Sequence, residues 1–342
     1  MKPLRIWLPT VRSGSGSEVF TLRLAEGLRR AGHDPVPQWL DSRFEVFPWL
    51  ARDLPIPPGT DVIHSGSIQG FALSGRGLPV VVTEHQYVSH PAFQPYNTGL
   101  RGIYKRLLIE RYCVRTYAAA TRLVAVSQHC AAAMHEGLGV RPEVVHNWVD
   151  GSRFQSGYAT RPEGPFRLLF VGNPSLWKGS DLLAPLAKLL GPAFEIGVIG
   201  GLRGKYSRDK TAPPSLRVLP SRPPGAMPEA YRWADAVLVL SRYDSFGYVA
   251  LEAMASARPV IGFDNTGAAE VCVNGETALL VSTDDLEALA SSCRRLAMDP
   301  GLCRRLGEAG RLRSELVFSE ADAITRYASI YDAAIAAHRE AQ

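Results

Sequence analysis

Two carboxylates, Asp244 and Glu252, flank a Phe246-Gly247 step in the stretch SRYDSFGYVALEAMASARP from Ser241 to Pro259. The residues just before it, 236–240 (AVLVL), form the short continuous apolar run expected of a strand buried on both faces. Residues 248–256 set Val249, Glu252 and Ala253 at helical spacing, so Gly247 falls where strand passes into helix. Backbone N–H groups and the positive helix end at such a junction attract an anion such as phosphate. The two carboxylates can accept hydrogen bonds from the hydroxyls of a sugar and of a ribose. Alternatively, Asp244 caps the helix and Glu252 pairs with a surface arginine.

Three further positions carry possible chemistry. In FVGNPSLWKGSDLL a strand ends at Val171, the chain turns at Gly172 and Asn173, and Lys178 precedes Gly179 at an expected helix start. A lysine there is a point charge suited to a diphosphate, or else an ordinary surface lysine. In RSGSGSEVF, Gly14 and Gly16 let backbone approach a ligand, with Ser15 and Glu18 spaced as a capping box. A tight turn without a ligand fits equally, and Val19 at the third glycine position of a dinucleotide fingerprint counts against a dehydrogenase. His85 follows the apolar run PVVVT, at the carboxyl end of a parallel strand where ligands of such folds bind, although a structural histidine is the alternative. His90, His129 and His146 have no definite placement, and no His/Asp/Glu cluster has metal-ligand spacing, so no protein-bound metal is expected.

These positions need a scaffold of alternating elements. Strands are predicted at 4–9, 61–64, 79–83 and 122–126, then at 167–171, 195–199, 236–240 and 259–263. Helices are predicted at 18–31, 179–190, 226–233, 247–256 and 285–297. The Gly/Ser/Pro-containing segment 151–165 separates the two series, which gives an α/β protein of two Rossmann-like halves. The halves are expected at 1–150 and 166–318, and 319–342 begins with a possible capping box (Ser319 to Asp322) and continues as a helix whose packing face holds Ile324, Tyr327, Ala328, Tyr331 and Ile335.

A length of 342 residues exceeds what a single core usually supports, which agrees with two domains. With 46% apolar and 21% charged residues the composition is that of a globular enzyme, not a disordered chain. A net charge of +5 fits an acidic ligand, an anionic membrane surface or nucleic acid and selects none of them. The 5 cysteines are scattered, without a CxxC pair, so a reducing compartment is expected. The start MKPLRIWLPTVRSGSG resembles a first strand more than a signal peptide, and no apolar run is long enough to span a bilayer. A cytosolic protein, at most peripheral on a membrane, is the expectation. A helix over 100–117 is expected to set Arg101, Lys105, Arg111 and Arg115 with Tyr104 and Tyr112 on one arc, and Leu100, Ile103, Leu107 and Val114 on the other. That basic, aromatic face suits anionic lipid or a lipid-linked diphosphate, or is simply solvated.

With these residues assembled, the chain resembles glycosyltransferase family 4, the retaining sugar-nucleotide transferases of GT-B fold, over nearly its whole length. The strongest likeness is the run from Met227 to Leu280, supported by GSGSEVF, RLAEGLRRAGHD, VTEHQY at His85, AVSQHCAAAM at Ser127 and HNWVDGSRF at Asn147. The resemblance implies two Rossmann-like domains with parallel sheets facing across a cleft, and a last helix returning to the N-terminal domain. It implies Asp244, His85 and Lys178 as catalytic residues, Asp244 on the donor sugar, His85 near the transferring sugar and Lys178 on the diphosphate. Glu252 would hold the ribose, backbone at Phe246, Gly247 and Tyr248 would reach the phosphates, and Gly14, Gly16, Gly172 and Asn173 would line the donor. The co-substrate would be a nucleotide-diphosphate sugar, with no cofactor and no metal. The acceptor would be a glycan or lipid-linked glycan of the bacterial surface (lipopolysaccharide, capsule or exopolysaccharide), and nucleic acid would not be a partner.

Two departures stand out: Asp244 replaces the usual Glu, one methylene shorter, and Asn173 replaces the usual Arg after the FVG turn. Arg203 and Arg222 are candidates to restore that charge. A sugar-nucleotide epimerase of the same architecture, or a sugar-nucleotide-binding protein without transferase activity, are the alternatives.

Overall fold

In the computed structural model, which describes residues 2–12, 14, 16–96, 105–154, 164–200 and 213–342, strands alternate with helices in two series. The chain divides into two compact units, Met1–Asn147 with Glu320–Gln342, and Trp148–Ser319.

Unit 1 holds a parallel six-stranded sheet of β1 (Arg5–Val11), β2 (Asp34–Leu40), β3 (Val62–Gly66), β4 (Val80–Glu84), β5 (Arg122–Ala125) and β6 (Glu143–Val144), in the order β2-β1-β3-β4-β5-β6. Strand β4 is buried along all five residues, as its unbroken VVVTE run requires. Strand β2 escapes sequence reading because it contains Pro35 and Pro37. It lies at the sheet edge, and the Asp34 N–H donates to Leu4 O at 2.8 Å, so the alternate prolines turn their nitrogens away from β1.

Helix Glu320–Glu340 belongs to unit 1 and buries Ile324, Tyr327, Ala328 and Tyr331 of the expected face. A Cβ on Gly27, in helix Gly16–Arg30, would lie 2.5 Å from Ile324 Cδ1, so glycine lets the two helices touch. The Arg30 guanidinium donates to both Glu320 oxygens at 2.6 and 2.7 Å. Beneath them His64 hydrogen-bonds Tyr331 Oη at 2.7 Å and Thr83 Oγ1 at 2.8 Å, and Thr83 meets Tyr327 Oη at 3.2 Å. Each fully buried aromatic of this kind stabilises by roughly 1.5–3 kcal/mol through area alone, and the hydrogen bonds remove the cost of hiding its hydroxyl.

Unit 2 also holds a parallel six-stranded sheet, of β7 (Phe166–Val171), β8 (Phe194–Ile199), β9 (Leu216–Val218), β10 (Ala236–Val239), β11 (Val260–Phe263) and β12 (Ala278–Val281), but in a different strand order, β12-β11-β10-β7-β8-β9, with the first strand of the series beside the fourth. Its core packs Phe166, Leu168, Phe170, Leu238, Ile261 and Phe263 against Leu186, Leu289 and Leu306 of the covering helices. The central pair β10-β7 directs its carboxyl ends to the loops that carry Asp244 and Gly172. Most of the expected linker, residues 155–163, lies outside the described residues.

Candidate active site

The loop between β10 and helix Tyr248–Ala255 is set by glycines and by one carboxylate. Asp244 Oδ1 accepts from the N–H of Phe246 at 3.2 Å and of Gly247 at 3.0 Å, and Oδ2 accepts from Lys178 Nζ at 2.7 Å. Gly247 adopts the left-handed region (φ 96), and a Cβ there would lie 2.8 Å from Ala268 Cα. A Cβ on Gly267 would lie 2.4 Å from the Ser245 carbonyl carbon, and the Gly267 N–H donates to Asp244 O at 2.7 Å. The loop is thus wedged against the start of helix Gly267–Val271. Burial opposes charge on Asp244, but the Lys178 ammonium and the two amides outweigh it and hold the carboxyl below its usual range.

Lys178 does not open a helix. It ends the tight turn Leu176–Lys178, and the expected helix follows Gly179 as a 3-10 turn, Ser180–Leu182, that runs into the regular helix Leu183–Leu190. Gly179 separates the two: it is left-handed (φ 74), and a Cβ on it would lie 2.2 Å from Leu240 O, so the turn rests directly on the chain leaving β10. That seat points Lys178 at Asp244, with Nζ also 4.4 Å from the centroid of the Trp177 ring. Gly172 lies alongside, where a Cβ would sit 3.9 Å from Lys178 Cβ. Asn173 follows it, its carbonyl accepting from Ser175 Oγ at 3.3 Å.

Glu252 lies farther down helix Tyr248–Ala255 and accepts from Tyr231 Oη at 2.8 Å. Tyr231 is fully buried, and Arg258 Nε holds its carbonyl at 3.0 Å, so Glu252 is steered from the interior. Phe246 is itself a core residue, edge-on to Tyr248 and Phe318 at 5.7 Å, and it offers backbone only. Arg222 is committed to Glu229, and Arg203 lies outside the described residues.

Gly14, Gly16 and His85 belong to unit 1. The Gly14 N–H donates to Glu18 Oε1 at 2.6 Å, so Glu18 reaches back across the turn as a capping box would, while Ser15 lies outside the described residues. Gly16 opens helix Gly16–Arg30, whose Phe20 meets the His85 ring edge-on at 4.5 Å. Burial pushes the His85 imidazole down to about 4, so it is neutral at pH 7. Glu84, one residue earlier, escaped sequence reading. It is buried, accepts from the Tyr117 hydroxyl and from the Gln86 N–H at 2.7 Å, and burial raises its pKa despite those bonds. Its signal was the acidic end of an otherwise apolar strand.

The helix expected over 100–117 differs from its predicted pattern. Residues 97–104, and with them Leu100, Arg101, Ile103 and Tyr104, lie outside the described residues, as does the Lys105 side chain. Arg111 and Arg115 are exposed, but Tyr112 is buried while Leu107 and Val114 are exposed. The reason is Thr116: its hydroxyl accepts from the Phe71 N–H at 2.9 Å and its methyl fills the space where Gly70 has no Cβ, which turns Tyr112, Cys113 and Tyr117 inward. Among the described residues no group of three or more His, Cys, Asp or Glu is placed to hold a metal ion, and no helix is long and apolar enough to cross a membrane.

Comparison with known proteins agrees with the fold. Residues 14–153 match the family described as Glycosyltransferase Family 4, and residues 153–313 match Glycosyl transferases group 1. The D-inositol 3-phosphate glycosyltransferase 1 of Catenulispora acidiphila is 30% identical over 320 residues, spanning 84% of this chain and 75% of that protein. Among solved structures, sucrose-phosphate synthase from Thermosynechococcus elongatus superposes with a TM-score of 0.80 at 18% identity, covering 98% of this chain and 100% of that one. The Anabaena protein HepE in complex with UDP-glucose gives 0.73 at 16% identity, covering 96% and 99%. Two parallel six-stranded sheets, that shared fold and the match to relatives along both units place the chain among the glycosyltransferases of family 4, as an enzyme of GT-B fold.

Proposed function

We propose that the enzyme transfers a sugar from a UDP-sugar to an acceptor hydroxyl with retention of configuration. The observation that carries this is the Lys178–Asp244 pair at the mouth of helix Tyr248–Ala255, with Glu252 held by Tyr231 farther along the same helix. The amides of Phe246 and Gly247 are engaged by Asp244, so the first partner of the incoming diphosphate is Lys178. Its ammonium leaves the Asp244 carboxylate for the phosphate, which frees Asp244 for a hydroxyl of the donor sugar. Glu252 takes the ribose hydroxyls, Gly172 and Asn173 line the diphosphate, and His85, Gly14 and Gly16 are the substrate-facing residues of unit 1.

In the reaction the bond from the anomeric carbon to the β-phosphate oxygen breaks, and the acceptor oxygen bonds that carbon on the same face. The departing phosphate takes the acceptor proton. Negative charge grows on the diphosphate as the bond breaks, and Lys178 with the helix end stabilises it. No protein-bound metal is part of this scheme. The uridine base is supported by the UDP-glucose named with the HepE structure, a protein of the same fold.

For the acceptor we infer a cell-surface glycan or a lipid-linked precursor of one, handled in the cytoplasm. The free, buried state of all five cysteines supports a reducing compartment, and the exposed Arg111 and Arg115 beside Leu107 and Val114 support contact with an anionic membrane surface. A phosphorylated cyclitol is the second reading, favoured by the name of the Catenulispora relative.

Thermal stabilisation by a panel of nucleoside diphosphates and their sugar conjugates tests the donor, because a ligand that binds only the folded state raises the melting temperature. UDP and one UDP-sugar are expected to stand out. The anomeric configuration of the product and insensitivity of turnover to EDTA test retention and metal independence. Replacing Arg111 and Arg115 should lower liposome association, and a parent protein that ignores anionic liposomes would remove the membrane from this account.

A further inference from the structure

We propose that Arg242 is the positioning residue for the diphosphate lysine, holding the Lys178 turn and the Asp244 loop in one register. This rests on the donor-site assignment made above and adds a residue to it. Arg242 sits two residues before Asp244, and its side chain is only 9% exposed. Its guanidinium donates from Nη1 and Nη2 to the two Asp181 oxygens, each at 2.8 Å, from Nη1 also to Leu176 O, and from Nε to Asp284 Oδ1 at 2.7 Å. The Arg242 backbone N–H adds a bond to Trp177 O at 2.9 Å. The turn that presents Lys178 is therefore tied on both flanks, at 176–177 and at 181, to the residue that starts the Asp244 loop.

The chemistry requires arginine. A planar fork reaches a bidentate carboxylate, a carbonyl and a second carboxylate at once, whereas an ammonium offers its donors from a single point. The hydrogen bond from Arg242 holds the Asp181 carboxyl below its usual range. Asp284 meets Nε from the left-handed region (φ 65), a conformation uncommon for a residue with a side chain. Gly179 seats the turn on Leu240, and hydrogen bonds between Ser175 and Ser180 close it internally, but neither ties it to the Asp244 loop beyond that seat. Arg242 supplies that tie. None of its partners is Lys178 or Asp244, so it acts on the donor only through them.

The test is a double-mutant cycle read by calorimetric affinity for UDP. Lys178→Ala and Arg242→Lys are each expected to weaken UDP by about tenfold, a change of roughly 1.4 kcal/mol. The double variant is expected to bind no more than about twofold worse than Lys178→Ala alone, because a mispositioned lysine and an absent one are equivalent. Additive losses, or unchanged UDP affinity in Arg242→Lys with only a lower melting temperature, would overturn the positioning role and leave the donor site intact. Unchanged affinity in Lys178→Ala would instead remove the donor-site assignment, and this proposal with it. Should Arg242→Lys fail to fold, Asp181→Asn cuts one arm of the clamp and enters the same cycle, with a smaller loss that again vanishes beside Lys178→Ala.

Discussion

The carboxyl ends of the two sheets treat polar groups in opposite ways. At the end of β10 and β7 the polar side chains are paired ions, Lys178 with Asp244 and Arg242 with Asp181 and Asp284. In β3 and at the end of β4 they are uncharged or pushed toward that state: His64, within β3, and the half-buried His85 are driven down by burial to about 3 and about 4, and Glu84 is driven up. Two parallel six-stranded sheets of different strand order thus supply one region that meets charge and one that excludes it. A diphosphate needs the first, since its anion must find a cation already held in place. A neutral imidazole beside Phe20 suits contact with sugar hydroxyls, which carry no charge to balance.

The sharpest way to break this contrast is Lys178→Ala. If the ions of unit 2 serve the leaving group, turnover should fall on the order of 10²–10³-fold while the melting temperature moves little. Turnover within a few-fold of the parent would make the ion pair structural. Next in size is Gly179→Ala, which places a Cβ 2.2 Å from Leu240 O in a left-handed backbone (φ 74). Urea unfolding should show a loss of about 1–3 kcal/mol, and a variant as stable as the parent would mean that the turn has another seat.

The neutral side is probed by pH. A histidine whose folded pKa lies below its unfolded value stabilises fully above the unfolded value and loses that contribution as pH falls toward the folded one. For His64 the window runs from about 6.5 down to about 3. Its share should be down by about 2 kcal/mol at pH 5, and His64→Gln should flatten the slope of stability against pH. An equal slope in both proteins would show that His64 is not held neutral. The smallest change is Tyr231→Phe, which removes the hydrogen bond steering Glu252 and should raise the donor KM about fivefold, the weight of one net hydrogen bond. An unaltered KM would separate Glu252 from the donor.

Much of this was legible before the structure. The buried runs AVLVL and PVVVT, the glycine at 247 and the two carboxylates around it marked the strands and the loop, because continuous apolar runs and glycine-bearing turns are local signals. What stayed hidden depends on partners distant in sequence. The competing assignment of Asp244 as the helix cap does not hold, because Gly247 stands at the cap position, while Asp244 binds the loop amides of Phe246 and Gly247 through Oδ1 and Lys178, 66 residues away, through Oδ2. For Glu252 the hidden partner is the buried Tyr231, 21 residues away. The close approach between Gly179 and Leu240, which seats the Lys178 turn, is contained in no window of sequence. The inward turn of Tyr112 follows from Gly70 in the same way. Strand β2 was missed because prolines argue against strands in general and are tolerated only where one side of the strand has no neighbour.

Helix Glu320–Glu340 has a consequence for how the molecule comes into being. Unit 1 is built from two stretches of chain with all of unit 2 between them. During synthesis, unit 2 therefore has every one of its residues before unit 1 does. Until Tyr327 and Tyr331 arrive, His64 and Thr83 have each other but lack the tyrosine hydroxyls, and Gly27 lacks Ile324 against it. Domains generally fold as units as they emerge, so the nascent enzyme passes through a stage in which the half that meets charge is finished and the half that excludes it still waits for its last helix.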